Sequence, residues 1–158
     1  MKRVKIMRGV PGCGKSTYIK TARAIAETEG DLTYVYSADN FFIGANNVYR
    51  FDPKKLGAAH GRCLRDFTAF LSDFRGLECL AFVDNTNTTL REITTYVDLC
   101  LANEVEFVIV TIDTPPEIAA HRNTHGVPVE KVFQMHRRLL AAQIPKDWPH
   151  IVVPGVIV

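Results

Sequence analysis

The chain has 158 residues, of which 19 are basic and 17 acidic, so its formal net charge at pH 7 is +2. A chain of this length can bury about two-thirds of its unfolded surface in one core, and we predict a single domain over residues 1–158. The near-neutral charge excludes a protein that wraps duplex nucleic acid by electrostatics alone. Any polyanion is therefore expected to bind at a local site.

Cysteine usage and hydropathy predict a cytoplasmic protein. The cysteines form no CxxC pair and lack the histidine spacing of a zinc site, so we expect reduced thiols at Cys13, Cys63, Cys79 and Cys100. The N-terminus is basic but has no long apolar run, and no segment is apolar over the length that a membrane helix needs. We expect neither a signal peptide nor a membrane span.

Apolar strand-like segments alternate with segments of helical period along the chain. Most of the strand segments are almost continuously apolar, which is typical of parallel strands covered on both faces. The predicted strands are residues 4–7, 32–37, 80–83, 106–112 and 151–153. They predict a three-layer α/β sandwich with a central, mainly parallel five-stranded sheet, whose ligands bind at the carboxyl ends of the strands.

Three predicted helices carry start signals. Asp52 is followed by proline, which suits an N-cap and the first helical position. Thr89 with Glu92, and Thr114 with Glu117, have the spacing of a capping box. We predict that a helix begins at each of these places.

The first predicted strand is followed by GVPGCGKST, residues 9–17, which fits the pattern G-x-x-x-x-G-K-[ST]. In such a loop the backbone N–H groups turn toward a phosphate, Lys15 reaches the β and γ oxygens, and Ser16 can ligate magnesium. The helical period that follows distinguishes this P-loop from a Gly-Pro turn with an incidental lysine. We predict a P-loop NTPase fold that binds ATP and Mg²⁺, and no other metal. The predicted ATP-binding residues of the loop are Gly12, Cys13, Gly14, Lys15, Ser16 and Thr17.

Two carboxylates follow the second and third predicted strands. Asp84 ends an apolar strand, which suits an acid that orients magnesium or its water, although DNTNTT also fits an Asx turn. Asp39, in YSADNFF, lies where an acceptor hydroxyl can approach the γ-phosphate, and we predict that it is the general base. The alternative is a helix-capping aspartate. The chain lacks the N-K-x-D of a switch GTPase and has little room for the lid domain of a motor ATPase, so a kinase is favoured.

The segment HRNTHGVP, residues 121–128, is predicted to be a polar connection between two helices and to form a lid. A mobile segment that carries a cation can close over a triphosphate and neutralise charge on its bridging oxygens. Arg122 is the predicted catalytic cation because its guanidinium is always charged and can donate two hydrogen bonds to one phosphate. His125 is a second predicted ATP contact, in its protonated form. An ordinary loop with solvated charges is the alternative.

Several motifs occur in an order that resembles one kinase group: GxPGxGKST, SADNFF, YRFDP with AHGRC, VDNTNTT and RNTHGVP. From Val4 to about Leu140 the chain resembles the small P-loop kinases of the polynucleotide kinase group. That group includes the kinase domain of phage polynucleotide kinase and related domains of eukaryotic ubiquitin-ligase-binding proteins. The resemblance implies ATP-dependent transfer of the γ-phosphate to a 5′-hydroxyl of RNA or DNA. It places Lys15 and Ser16 at the phosphates and magnesium, Asp39 as the base, and RNTHG in the lid.

The chain departs from the group's pattern at the acceptor. Phe42 stands where the phage kinase has an arginine for the acceptor phosphate, and His125 stands in a lid that is shorter than that of the phage enzyme. Two alternatives therefore remain: a small-molecule kinase of the same fold that acts on a nucleoside, sugar or antibiotic hydroxyl, and a non-catalytic ATP-binding module. Phe41 and Phe42 are either a wall for a base or ring, or core aromatics. His60 and Arg62 are candidate acceptor contacts or ordinary surface residues.

Overall fold

The computed structural model describes residues 1–73 and 76–155. Its strands are β1 (Lys2–Arg8), β2 (Leu32–Tyr36), β3 (Cys79–Val83), β4 (Glu106–Asp113) and β5 (His150–Pro154). They form one sheet in the order β2-β3-β1-β4-β5, and every neighbouring pair is parallel. The five strands predicted from the sequence are confirmed. β3 is buried along its whole length, because it lies inside the sheet and is covered on both faces.

Helices cover both faces of the sheet and confirm the predicted three-layer sandwich. The described helices are α1 (Lys15–Thr28), α2 (Leu56–Ser72), α3 (Leu90–Ala102), α4 (Pro116–Arg122) and α5 (Val129–Ala141). α2 and α3 pack on one face around Phe67 and Val97, whereas α1, α4 and α5 pack on the other around Ile19 and Val132. Along β3, alternate residues join the first and the second cluster, as the pleat of a strand requires.

Two of the predicted helix starts are confirmed. The Asp52 carboxylate accepts a hydrogen bond from the Lys54 amide at 3.0 Å and caps the short 3-10 helix Pro53–Lys55, which leads into α2. Thr89 and Glu92 form a complete capping box at α3, in which each side chain accepts from the backbone N–H of the other. These signals depend only on neighbouring residues, which explains why the sequence shows them.

The predicted capping box of Thr114 and Glu117 is wrong. α4 begins one residue later than that box requires, with Pro115 as its N-cap. Pro115 precedes a second proline, and the residue before a proline is disfavoured in the helical region, so Pro115 cannot be the first helical residue. The Thr114 hydroxyl instead donates to the carbonyl of Cys13 at 2.7 Å. It therefore holds the P-loop against the end of β4.

The strand order sets the position of the predicted site. β1 is central, and the chain first builds β2 and β3 on one side of it and then β4 and β5 on the other. Ligands of such sheets bind beside this reversal, at the carboxyl ends of the strands. The P-loop follows β1, and Asp84 follows β3, its neighbour. The four cysteines are free and buried, as expected, and the described helices are too short or too polar to cross a bilayer.

Candidate active site

The P-loop, residues 9–17, joins β1 to α1 at the carboxyl end of the central strand. Gly12 and Gly14 have φ values of 80° and 112°, a region that glycine adopts without strain. α1 begins directly after Gly14, and within the described residues no side chain caps this end of the helix. The first N–H groups of α1 are therefore available to an anion such as a phosphate.

The Lys15 ammonium folds over the P-loop. Its Nζ donates hydrogen bonds to the carbonyl oxygens of Gly9 at 2.9 Å and Val10 at 3.4 Å, and lies 3.8 Å from Sγ of Cys13. The Cys13 side chain is fully buried, and its amide donates to the carbonyl of Val10. Cys13 thus shapes the loop from inside, while Lys15 keeps a positive charge at its surface.

The end of α4 packs directly on the P-loop. A Cβ atom at Gly12 would overlap the carbonyl oxygen of Ala119 and would lie 2.9 Å from the backbone nitrogen of Asn123. Only glycine permits this approach, since real Cβ atoms do not lie so close to backbone atoms and the φ value also disfavours a side chain. The segment that was predicted as a lid therefore starts in backbone contact with the phosphate loop.

Two predicted carboxylates meet at neighbouring strand ends. The amide of Asp84 donates to the carbonyl of Tyr36 at 2.8 Å, and Asp39 lies three residues beyond Tyr36. Burial raises the pKa of Asp84; Lys15 opposes this rise, Asp39 adds to it, and His125 opposes it. Charges in solvent are screened beyond roughly 10 Å. Lys15 of the P-loop, Asp39 after β2 and His125 of the predicted lid thus all act on Asp84 after β3, and these four residues are here called the electrostatic cluster.

The donor set at this cluster fits a magnesium nucleotide. The described residues contain no group of three or more histidines, cysteines or acids that could enclose a metal ion. Ser16 is exposed at the start of α1, and Asp84 is a partly buried carboxylate whose charge lacks solvation. A single carboxylate with a hydroxyl suits Mg²⁺, which is held largely by waters and substrate phosphates rather than by a protein cage.

Asp39 is exposed and does not cap its own helix. It belongs to the short 3-10 helix Ala38–Phe42, here called the Asp39 turn, whose N-cap is Ser37. The Ser37 hydroxyl accepts from the Asp39 amide at 3.2 Å. The capping role that was the alternative for Asp39 therefore falls to Ser37. The Asp39 Oδ1 atom accepts a hydrogen bond from the Tyr49 hydroxyl at 3.4 Å.

The lid differs in part from the polar connection that the sequence predicted. Arg122 lies in the last turn of α4 rather than in the connection. The connection itself is folded by Asn123, whose Oδ1 accepts from the His125 amide at 3.0 Å and whose Nδ2 donates to the carbonyl of Val127 at 2.7 Å. The His125 ring meets the Tyr49 ring edge to face, with centroids 4.5 Å apart. The segment predicted as a lid therefore contacts Tyr49, whose hydroxyl is bonded to Asp39.

A family model described as AAA domain matches residues 4–144, which is most of the chain. The chain belongs to this family. Human NEDD4-binding protein 2 is 33% identical over 138 residues, which are 82% of this chain and 7% of that protein. The chain thus spans only a small part of the length of this relative. The resemblance to P-loop kinases that the motifs indicate is confirmed.

Solved structures confirm the kinase fold of this AAA domain. The APS kinase CysC of Mycobacterium tuberculosis, in complex with AMPPNP and APS, is 18% identical with a TM-score of 0.62, over 96% of this chain and 88% of that chain. A chain of the Pnkp1/Rnl/Hen1 RNA repair complex is 19% identical with a TM-score of 0.66, over 89% of this chain and 44% of that chain. At these identities the likeness establishes the shared P-loop fold, and the acceptor is a separate question.

Two asparagines of this AAA domain hold the site together; in the sequence they are turn formers and part of the motif VDNTNTT, but their structural roles were not predicted. The buried Asn85 accepts from the Ala38 amide at 2.9 Å and donates to the Tyr96 hydroxyl at 3.5 Å. It ties the Asp39 turn to the end of β3. Asn87 has a φ value of 46° and donates to the carbonyl of Met7 at 2.8 Å, which ties the same loop to β1. These side chains fix the spacing between the base candidate and the P-loop.

Arg8, at the end of β1, also supports the site and was not predicted from the sequence. Its side chain is only 3% exposed, and burial lowers its pKa from the usual arginine value. The guanidinium donates to the carbonyls of Asn87 at 3.1 Å, Thr88 at 3.4 Å and Leu139 at 2.8 Å. It thereby joins β1, the loop after β3 and the end of α5, just behind the P-loop.

Arg8→Met is expected to lower the free energy of unfolding by about 2–4 kcal/mol, because it leaves buried carbonyls without their donor. Urea denaturation followed by circular dichroism measures the change. Arg65→Met, at an exposed position of α2, is the matched control and should stay within about 0.5 kcal/mol of the wild type. Equal stability of the two variants would show that the Arg8 bonds add nothing to the fold.

The aromatic residues after Asp39 have different surroundings. Phe42 is only 5% exposed and packs with Ala38 and Ala59, so it is a core aromatic. Phe41 is partly buried, and both rings border an open cavity of about 290 Å³ that Arg50 also lines. His60 and Arg62, the other residues predicted as possible contacts of the acceptor molecule, are exposed on α2. Arg62 forms an ion pair there with Asp66 at 3.8 Å.

Proposed function

We propose that the chain is an ATP-dependent kinase that transfers the γ-phosphate of ATP to the 5′-hydroxyl of a polynucleotide. The observation that carries this proposal is the exposed Asp39 carboxylate, which lies in one electrostatic cluster with Lys15 and Asp84. A motor or switch has no need of a solvent-facing carboxylate at this place, whereas a kinase needs a group that accepts the proton of its acceptor. Membership of the P-loop family and the kinase fold supports the same conclusion.

The nucleotide side of the site uses the P-loop and the end of β3. The N–H groups at the start of α1 and the glycine-rich backbone hold the phosphates, and the Lys15 ammonium neutralises the β and γ oxygens. Ser16 and Asp84 would hold Mg²⁺, which when bound neutralises charge between the phosphates. Thr17 continues the same exposed first turn of α1. These residues orient the γ-phosphate toward the Asp39 side of the sheet.

The transfer step needs one proton acceptor. A bond forms between the acceptor oxygen and the γ-phosphorus, the bond from that phosphorus to the β–γ bridging oxygen breaks, and ADP leaves. The hydroxyl proton passes to the Asp39 carboxylate, which is exposed. Arg122 and His125, at the end of α4 and in the lid, are the proposed cations that face the leaving oxygens when the lid is closed.

The polynucleotide acceptor is favoured by motif order and by one of the structural relatives. The order of motifs resembles the polynucleotide kinase group, and a chain of an RNA repair complex shares the fold. A small-molecule kinase is the second candidate, since an APS kinase shares the fold equally and the cavity beside Phe41 is only about 290 Å³, the size of a small ligand. A non-catalytic module is disfavoured by the presence of both Lys15 and Asp39.

Phosphate transfer from γ-labelled ATP tests the acceptor directly. RNA and DNA oligonucleotides with a 5′-hydroxyl should become labelled at that end, whereas the same oligonucleotides carrying a 5′-phosphate should not. Nucleosides, sugars and antibiotics are assayed in parallel with Mg²⁺ and with EDTA. Labelling of a small molecule without any labelled nucleic acid would overturn the polynucleotide proposal and favour the second candidate. The cytoplasmic location stays a prediction from cysteine usage.

A further inference from the structure

A short hairpin after the Asp39 turn carries an aromatic residue that no role above uses. Ile43 and Tyr49 form an antiparallel bridge, and the amide of Arg50 donates to the carbonyl of Phe42 at 2.9 Å. The reversal is built with Asn47, whose φ of 60° suits an asparagine in a turn. This hairpin, residues 42–50, fixes the backbone of Tyr49 relative to the Asp39 turn.

The ring of Tyr49 is supported from two sides. On one side it meets the ring of Phe42 edge to face, with centroids 6.2 Å apart, and Phe42 is itself buried against Ala59 of α2. On the other side lies the ring of His125, at 4.5 Å and nearly perpendicular. Both distances lie within the range of favourable aromatic pairs. The ring is therefore held between the core and the lid.

The hydroxyl of Tyr49 is directed at the candidate base. It donates to Oδ1 of Asp39 at 3.4 Å. Burial, followed by the charge and the hydrogen bond of Asp39, raises the pKa of Tyr49 to about 12. The hydroxyl consequently stays protonated at neutral pH and acts as a donor. A phenylalanine would fill the same space between the rings, so packing alone does not require this oxygen.

His125, which contacts Tyr49, is linked to the phosphate loop through Asn123. The His125 amide is bonded to the Asn123 side chain, and the Asn123 backbone lies against Gly12. One series of contacts thus runs from Asp39 through Tyr49 and His125 to the P-loop. Displacement of the lid would remove one of the two supports of the Tyr49 ring, and with it part of the restraint on Asp39.

We propose that Tyr49 is a positioning residue that orients Asp39 through its hydroxyl and holds the lid through its ring, so that the base is placed when the lid is closed. The proposal rests on the proposed function, in which Asp39 is the base. Its two parts are separable, since Tyr49→Phe removes only the hydroxyl. His125→Ala removes the ring contact with Tyr49 and also a proposed ATP contact, so it is used only in an experiment without nucleotide. Tyr49→Ala removes both the hydroxyl and the ring contact.

Steady-state kinetics of phosphate transfer tests the hydroxyl. Tyr49→Phe is expected to lower kcat about tenfold and to leave KM for ATP within about twofold, because a hydrogen bond to a charged group is lost on the acceptor side only. Tyr18→Phe is the matched control: its hydroxyl accepts from Lys5 at 2.9 Å outside the site, and its kcat should be unchanged. If the wild type transfers phosphate and Tyr49→Phe has the same kcat, the positioning role is overturned but the proposed kinase function is not.

Hydrogen exchange of residues 123–128 tests the lid contact without any acceptor or nucleotide. Exchange is expected to rise about fivefold or more in Tyr49→Ala and His125→Ala, and to stay at the wild-type rate in Tyr49→Phe, which keeps its ring. Exchange that is identical in all four proteins would overturn the lid contact. If the wild type transfers phosphate to no acceptor at all, the proposed function falls, and with it the role of Tyr49 at Asp39.

Discussion

Asp39→Asn is expected to lower kcat for phosphate transfer roughly a hundredfold to ten-thousandfold, while ATP binding stays near the wild-type level. The amide has the shape of the carboxylate and can still accept from Tyr49, but it cannot take the proton of the acceptor hydroxyl. Asp39 is exposed and its side chain holds no part of the core, so the fold should be intact. Rates with saturating ATP and calorimetric titration with an ATP analogue measure the two effects.

Asp98→Asn is the control for the loss of one negative charge. Asp98 is exposed on α3, which packs on the other face of the sheet from α1, and its replacement should leave kcat within about twofold. If kcat of Asp39→Asn falls by less than about fivefold, a group other than Asp39 takes the proton of the hydroxyl. In that case the carboxylate would serve only the electrostatics of Asp84, whose pKa it raises.

Lys15→Met is expected to lower kcat/KM for ATP roughly a hundredfold to a thousandfold, and unlike Asp39→Asn it should also weaken ATP binding. The Lys15 ammonium lies on the P-loop, bonded to the carbonyls of Gly9 and Val10, where bound phosphates would attract it. It is also a positive charge that opposes the raised pKa of Asp84. Its removal therefore weakens both the phosphate contact and the charge balance of the site.

Lys20→Met provides the control on the same helix. Lys20 is exposed on α1, beyond the first turn that borders the P-loop, and its loss changes the net charge by the same amount. The control should bind ATP as the wild type does. Full activity of Lys15→Met would contradict a triphosphate in this loop, whichever acceptor is used.

The fold was predictable because its signals are local. Most of the strands are nearly continuous apolar segments, the P-loop is a contiguous pattern, and the capping box of Thr89 and Glu92 spans one helical turn. The failure at Thr114 has a local cause as well, since two consecutive prolines displaced the helix start. The Thr114 hydroxyl, which would have capped the helix, instead donates a hydrogen bond to the carbonyl of Cys13.

The supporting residues of the site could not be predicted, because their partners are distant in sequence. Arg8 is bonded to residues 87, 88 and 139, and Asn85 joins a loop that precedes it by more than forty positions. Neither residue belongs to a pattern of charge or spacing that indicates burial. The pairing of Tyr49 with His125 likewise depends on how the hairpin and the lid meet in space.

The parallel sheet has a consequence for the order of folding. Among the described strands β1 is synthesised first, yet its neighbours are β3, through Lys2 and Cys79, and β4, through Arg3 and Glu106. Parallel pairs of such sequence separation require long loops to close first, which slows folding. The phosphate loop therefore acquires its shape only after most of the chain has been synthesised. Until then β1 lacks both of its strand neighbours.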